Sequence, residues 1–243
     1  GGIPQEEGGR YLREIVPVIR KLWEGDYEHN GEIWQFPRAT SVPKPVQKPH
    51  PPLWVAARDP NTFDWAVKND LDVMATPLSK PFSEVQNLAH KLEVALQDNP
   101  GHRRPRFLVL RTTCVYEDKA DWRMPVETYL ENARLFEGLF RNQGAVVNGF
   151  AQPIRFQNQE SREAFSLEQL HESMMFGTPD QVMEKLRMYE AVGVDNFCYG
   201  ANFGLPHDVA MRSLELFATE VMPHFAESAA REVGHGADAS NGC

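Results

Sequence analysis

The chain reads as an α/β protein built on parallel strands. Short apolar runs alternate along it with segments of helical periodicity, the pattern of helices crossing over a parallel sheet. The run Leu53-Trp54-Val55-Ala56-Ala57 is apolar at every position, as a strand covered on both faces requires. The stretch FGTPDQVMEKLRMYEAVGVDNFCYG, from Phe176 to Gly200, spells out a helix start, a helix, a glycine turn and a strand, in that order.

Glu6 to Trp23 is an amphipathic helix, with Leu12, Ile15, Val16, Ile19, Leu22 and Trp23 on one face and Pro17 placed to kink it. Asn30-Gly31 lies between the runs Tyr27-Glu28-His29 and Glu32-Ile33-Trp34-Gln35-Phe36, and predicts a hairpin turning on those two residues. Prolines 37, 43, 45, 49, 51 and 52 make the connector that follows extended and stiff. After strand 53–57 come a helix over 61–69, a strand at Asp72-Val73-Met74-Ala75-Thr76, and a helix over 82–96 closed by Asp98-Asn99-Pro100-Gly101. Phe107 to Tyr116 is a third strand, and Val126 to Arg141 a helix. Residues 142–166, with Gly144, Gly149, Pro153 and several Gln and Asn, read as loop.

Thr178 as N-cap, Pro179 at the first helical position and Gln181 form a capping box. Val182, Leu186, Tyr189 and Val192 are the buried face of that helix, and Gly193 ends it in the left-handed region. Asn196-Phe197-Cys198-Tyr199 is the fourth strand, 208–225 a closing helix, and 227–243 a small polar tail expected to be disordered. Four parallel strands fit a doubly wound sheet. They also fit part of a (β/α)₈ barrel, which has about eight strands in about 250 residues.

Composition narrows the function. A chain of 243 residues, 42% hydrophobic, supports one large domain or two small ones. The net charge of −9 argues against nucleic acid as a partner and leaves no polybasic patch for a membrane. No apolar run reaches about 18 residues, so no membrane span is expected. The start GGIPQEEGG lacks the basic-then-apolar pattern of a signal peptide. Cys114, Cys198 and Cys243 make neither a CxxC pair nor an even framework, so a reducing, cytoplasmic setting is expected. The eight histidines contain no HExxH spacing, and no metal site is expected.

The chemistry-bearing residues fall in the turns after the strands. Ala57-Arg58-Asp59-Pro60-Asn61-Thr62 leads from a strand into a helix, so its amides and the helix dipole can face an anion. Arg58 can add a bidentate phosphate contact, and Thr62 can cap the helix or donate to a phosphate oxygen. On pattern alone these residues favour an ordinary loop, with Arg58 paired to Asp59 or Asp64, because no Walker or GxGxxG spacing is present. The GTPD turn is a second helix start, where Asp180 would repel a phosphate. Gly200, Asn202 and Gly204 either admit a planar ligand or turn the chain toward Leu205-Pro206-His207. Arg103, Arg104 and Arg106 read as a solvated basic loop, and Cys114 and Cys198 as core. His29, His50, His171 and His207 lie near loops without a partner spacing that marks a general base, and no GxSxG elbow occurs.

Several stretches together resemble the bacterial luciferase-like family of flavin-dependent monooxygenases. They are RKLW, SVPKPVQKPHPPLWVAA, RDPNTFDWAV, GTPDQVMEKLRMYEAVGVDNF and NFGLPHDVAMRSLELFATEVMPHF, and the resemblance runs over residues 6 to 225. It implies a TIM-barrel-type (β/α)₈ fold that binds reduced FMN, or in one branch the deazaflavin F420, at the C-terminal ends of the strands. It also implies a homodimer, a flavin reductase as partner, and a small organic substrate oxidised with O₂. Ala57, Arg58, Asp59 and Thr62 match the family's flavin-phosphate turn, with Asp59 standing where a small hydroxyl residue is common. The helix ending in RKLW follows the fourth barrel strand in the family. Residues 1–226 are then a barrel domain incomplete at its N-terminus, holding only the C-terminal half, strands five to eight. The resemblance names no catalytic residue in this chain. Its alternatives are a non-catalytic flavin-binding or pairing half-barrel and an F420-dependent oxidoreductase.

Overall fold

The computed structural model describes residue 4 and residues 7–140, 145–156, 159–201 and 203–225. Helix α1 (Gly8–Glu24) carries Pro17 in its interior and leads into an antiparallel pair, β1 (Tyr27–Asn30) and β2 (Gln35–Ala39). Asn30 pairs with Gln35, so the turn is residues 31–34 and not the Asn30-Gly31 pair that the sequence predicts. The cause is Glu14 on α1. Its carboxylate accepts from the amides of Ile33 at 3.1 Å and Trp34 at 2.7 Å, which opens the turn and fastens it to the helix.

The α/β alternation is present as expected. In chain order come β3 (Trp54–Ala56), α2 (Pro60–Lys68), β4 (Asp72–Ala75), α3 (Phe82–Asp98), β5 (Phe107–Val115) and α4 (Arg123–Phe140). There follow β6 (Val146–Val147), β7 (Phe150–Ala151), α5 (Gln159–Ala164), α6 (Leu167–Ser173), β8 (Met175–Gly177), α7 (Pro179–Ala191), β9 (Asn196–Gly200) and α8 (His207–Leu216). Residues 142–166 are therefore not loop throughout. Asn148 and Gly149 both take positive φ, 50° and 84°, which closes the β6–β7 hairpin, and α5 follows it. Strand β8 is an addition to the four read from sequence, since its three residues run straight into the cap of α7. The tail 227–243 lies outside the described residues.

Strands β3, β4, β5, β8 and β9 form one parallel sheet. Strand β5 is its hub, flanked by β4 and β9 and joined by β8 along its last three residues. The registers sort the side chains into rows. Val55, Val73 and Phe107 make one row, and Ala75, Val109 and Phe197 another; both pack into the main core beneath α2, α3 and α7. The alternate row, Ala56, Met74, Leu108 and Asn196, lies on the opposite face, with Leu110 and Cys198 beyond it. Ala56 and Asn196 are exposed there, and Leu110 is 40% exposed. One face of the sheet is thus buried and the other open. A second core of Tyr116, Val126, Tyr129, Leu170, Met174, Phe176 and Phe203 lies under α4 and α6.

Candidate functional site

Because the strands run parallel, the turns at their C-terminal ends collect along one edge of the sheet. Ala57 is fully buried, and its amide donates to the Met74 carbonyl at 2.9 Å, extending the β3–β4 ladder by one residue. Arg58 then turns outward. Its carbonyl accepts from Lys91 Nζ at 2.9 Å, while its guanidinium has no hydrogen-bond partner among the described residues. Asp59 caps α2, accepting from the Thr62 amide at 3.1 Å and the Thr62 hydroxyl at 2.6 Å. Partial burial pushes the Asp59 carboxyl up. The Thr62 hydrogen bonds and the positive charge of Arg13 outweigh that and hold it below the usual carboxylate range.

All four residues predicted for this turn are therefore adjacent, but they divide in role. Asp59 already takes both donors of Thr62, so the helix end is served by the chain's own carboxylate. Arg58 keeps its charge free, and the positive charge of Arg13 on α1 helps to lower the Asp59 and Asp64 carboxyls.

The loop after β4 is fixed from within. Arg111 on β5 is only 1% exposed, and its Nη1 donates to the carbonyls of Leu78 at 2.7 Å and Lys80 at 2.8 Å. Its Nε donates to the Tyr189 hydroxyl at 2.9 Å, and Nη2 has no partner. Leu78 sits at positive φ, so this clamp holds a conformation that a leucine rarely takes. An arginine within an otherwise apolar and β-branched strand was the available signal.

At the end of β5, the Tyr116 hydroxyl and His171 Nε2 are 2.7 Å apart, with the Trp122 ring edge-on to the imidazole. Burial, then the charge of Lys185, lowers the His171 pKa, and burial raises that of Tyr116, so the pair is neutral. Lys185 donates to the carbonyls of His171, Met174 and Phe176, and burial pulls its pKa down to about 8. Among the other histidines read from sequence, His29 pairs with Glu14 and His50 Nδ1 donates to the Pro51 carbonyl.

The remaining motifs are structural. A Cβ on Gly200 would meet the Arg111 carbonyl at 2.9 Å, so its close approach is to β5. Gly204 takes a φ of 101°, and Asn202 lies outside the described residues. In the GTPD turn, the Thr178 amide donates to Gln181 Oε1 at 3.0 Å, which starts α7. The basic loop is not merely solvated. Arg103 and Arg106 both bind the buried Asp72 carboxylate, and Arg104 binds Asp195 at 2.8 Å. Cys114 is buried, its thiol pushed up to about 11 by desolvation, and is no nucleophile. Among the described residues no group of three or more His, Cys, Asp or Glu could hold a metal ion.

The family model for luciferase-like monooxygenases matches residues 1–196. The chain belongs to that family. The oxygenase component of a flavin-dependent trigonelline monooxygenase from Acinetobacter baylyi is 35% identical over 227 residues, 93% of this chain and 63% of that protein. An FMNH₂-dependent dimethylsulfone monooxygenase from Pseudomonas putida is 25% identical over 212 residues, 78% of this chain and 53% of that protein. The chain thus spans between half and two thirds of the length of these luciferase-like relatives. The crystal structure of the monooxygenase RslO1 from Streptomyces bottropensis shares the fold at a TM-score of 0.67 and 23% identity, covering 92% of this chain and 63% of that one.

Proposed function

We propose that the protein is the flavin-binding part of a luciferase-like monooxygenase, oxidising a small organic substrate with reduced FMN and O₂. The observation that carries this is the free Arg58 guanidinium at the C-terminal end of β3, beside a sheet whose other face is open. Arg58 offers its guanidinium to a phosphate, with Ala57, Asp59 and Thr62 shaping the turn. Reduced flavin, when bound, supplies the electrons that activate O₂. The chain's own work is positional. Arg111 holds the loop after β4 in one conformation, and the apolar row of Met74, Leu108 and Leu110 gives the ring a surface that sheds water.

The open face is, in this reading, the inner wall of a (β/α)₈ barrel, with β3, β4, β5 and β9 as four consecutive strands. The length of the relatives supports it, as does the exposure of Leu110, which a barrel interior would cover. The Acinetobacter relative is named an oxygenase component, which supports a separate reductase as the source of reduced FMN. A cytoplasmic homodimer completes the proposal.

Equilibrium titrations with FMN and with F420, both reduced, test the cofactor. Tighter binding of FMN is expected. Tighter binding of F420 would move the protein to the deazaflavin oxidoreductases, and binding of neither would overturn the flavin reading for this chain.

A further inference from the structure

A second basic site lies away from the Arg58 turn. A cavity of about 400 Å³ is lined by Leu130 and Arg134 of α4 together with Arg155, Phe156, Arg162 and Phe165. The segment before α5 is tied to α4 where the Ile154 amide donates to the Arg134 carbonyl at 3.4 Å. Phe156 and Phe165 stack with centroids 4.2 Å apart and planes 19° apart, giving the cavity a flat aromatic wall.

Its charge is poorly neutralised. Arg134 pairs with Glu131, an exposed side chain, and its Nε is buried with no hydrogen-bond partner. Arg162 Nε donates only to the Phe156 carbonyl at 3.3 Å. Arg155 has no ion-pair or hydrogen-bond partner among the described residues. Among the described residues, three arginines line the cavity and no carboxylate does, in a chain that has 34 acidic residues against 25 basic ones. Like charges lining one cavity repel one another, and a bound anion offsets that repulsion. Guanidinium groups match the planar oxygens of a carboxylate or phosphate two at a time.

We propose that this cavity binds a small organic oxyanion carried on a flat ring. The guanidinium groups of Arg155 and Arg162 grip the charged oxygens, and the phenyl pair takes the ring. The size agrees, since small-molecule pockets begin at about 300 Å³. The site is independent of the flavin turn, because no residue of the Arg58 turn lines it.

Calorimetric titration of the 243-residue chain with phthalate, phenyl phosphate and neutral benzamide tests this. Phthalate or phenyl phosphate is expected to bind and benzamide not. The tighter of the two anions identifies the natural source as a carboxylate or a phosphate ester. Arg155→Ala and Arg162→Ala are each expected to weaken anion binding at least about tenfold, a lost charge-assisted pair of hydrogen bonds. Arg155→Lys should recover part of it. Circular dichroism confirms that each variant is folded. Failure of both anions to bind, equal binding of benzamide, or anion binding unchanged in the folded Arg155→Ala and Arg162→Ala variants would each overturn the proposal.

Discussion

Asp59→Ser isolates the electrostatics of the proposed flavin-phosphate turn. Asp59 now holds the Thr62 hydroxyl at 2.6 Å and its amide at 3.1 Å. An anion that took over the hydroxyl would come within about 5 Å of the carboxylate, two hydrogen-bond lengths across one donor. A phosphate monoester carries roughly 1.5 to 2 negative charges at neutral pH. In water, unit charges at about 5 Å repel by about 0.8 kcal/mol, so the carboxylate opposes phosphate by about 1.5 kcal/mol. Serine keeps the N-cap of α2, so the helix should persist. The variant is expected to bind FMN roughly tenfold more tightly while riboflavin binding stays constant, as read by isothermal titration. Raising the salt should shrink the gain, because the turn is exposed. Unchanged or weaker FMN binding by a folded Asp59→Ser chain would show that the phosphate does not sit at this turn.

Other outcomes follow from the buried charges. Asp72 is buried beneath Arg103 and Arg106. Burial raises its carboxyl, yet the hydrogen bonds from Arg106 and Arg103 prevail and its pKa falls below the ordinary value. Its stabilisation is therefore complete above the unfolded pKa and lost as pH drops through the lower folded one. Asp72→Asn should cost about 2–3 kcal/mol in urea unfolding at neutral pH and flatten the acid limb of stability, the two half-exposed arginines keeping the loss below that of a fully buried pair. For Lys185 the sign is opposite. Its folded pKa, about 8, is below the unfolded value, so stability should rise with pH from about 8 toward 10, and Lys185→Met should abolish that rise. Arg111→Met leaves the carbonyls of Leu78 and Lys80 without donors; limited proteolysis should cut the loop after β4 faster, whereas Arg111→Lys should restore part of the protection.

Much of the fold was legible because it is local. Leu53 to Ala57, Asp72 to Thr76, Phe107 to Tyr116 and Asn196 to Tyr199 announced their strands through continuous apolar and β-branched character, and the structure keeps all four within a residue or two. The cap at Thr178 and Gln181 was legible for the same reason. What escaped depends on distant partners. The hairpin turn is widened by Glu14, a residue on another element, and β8 exists only because Thr113, Cys114 and Val115 offer a ladder to Met175, Phe176 and Gly177. At the site, residues contiguous in sequence were found together, whereas Arg111 reaches the loop after β4 only through the packing of β5. The β6–β7 hairpin is the exception, a local Asn-Gly signal between strands of only two residues each.

The most direct test of the account is the binding of FMN and riboflavin to the chain and to Arg58→Ala, each by isothermal titration. Arg58 is taken to contact the phosphate alone, so its loss should weaken FMN by about 1–3 kcal/mol, the range of a charge-assisted hydrogen bond, and leave riboflavin nearly untouched. Equal losses for the two ligands, or none for FMN, would contradict the assignment of this turn as the flavin-phosphate site.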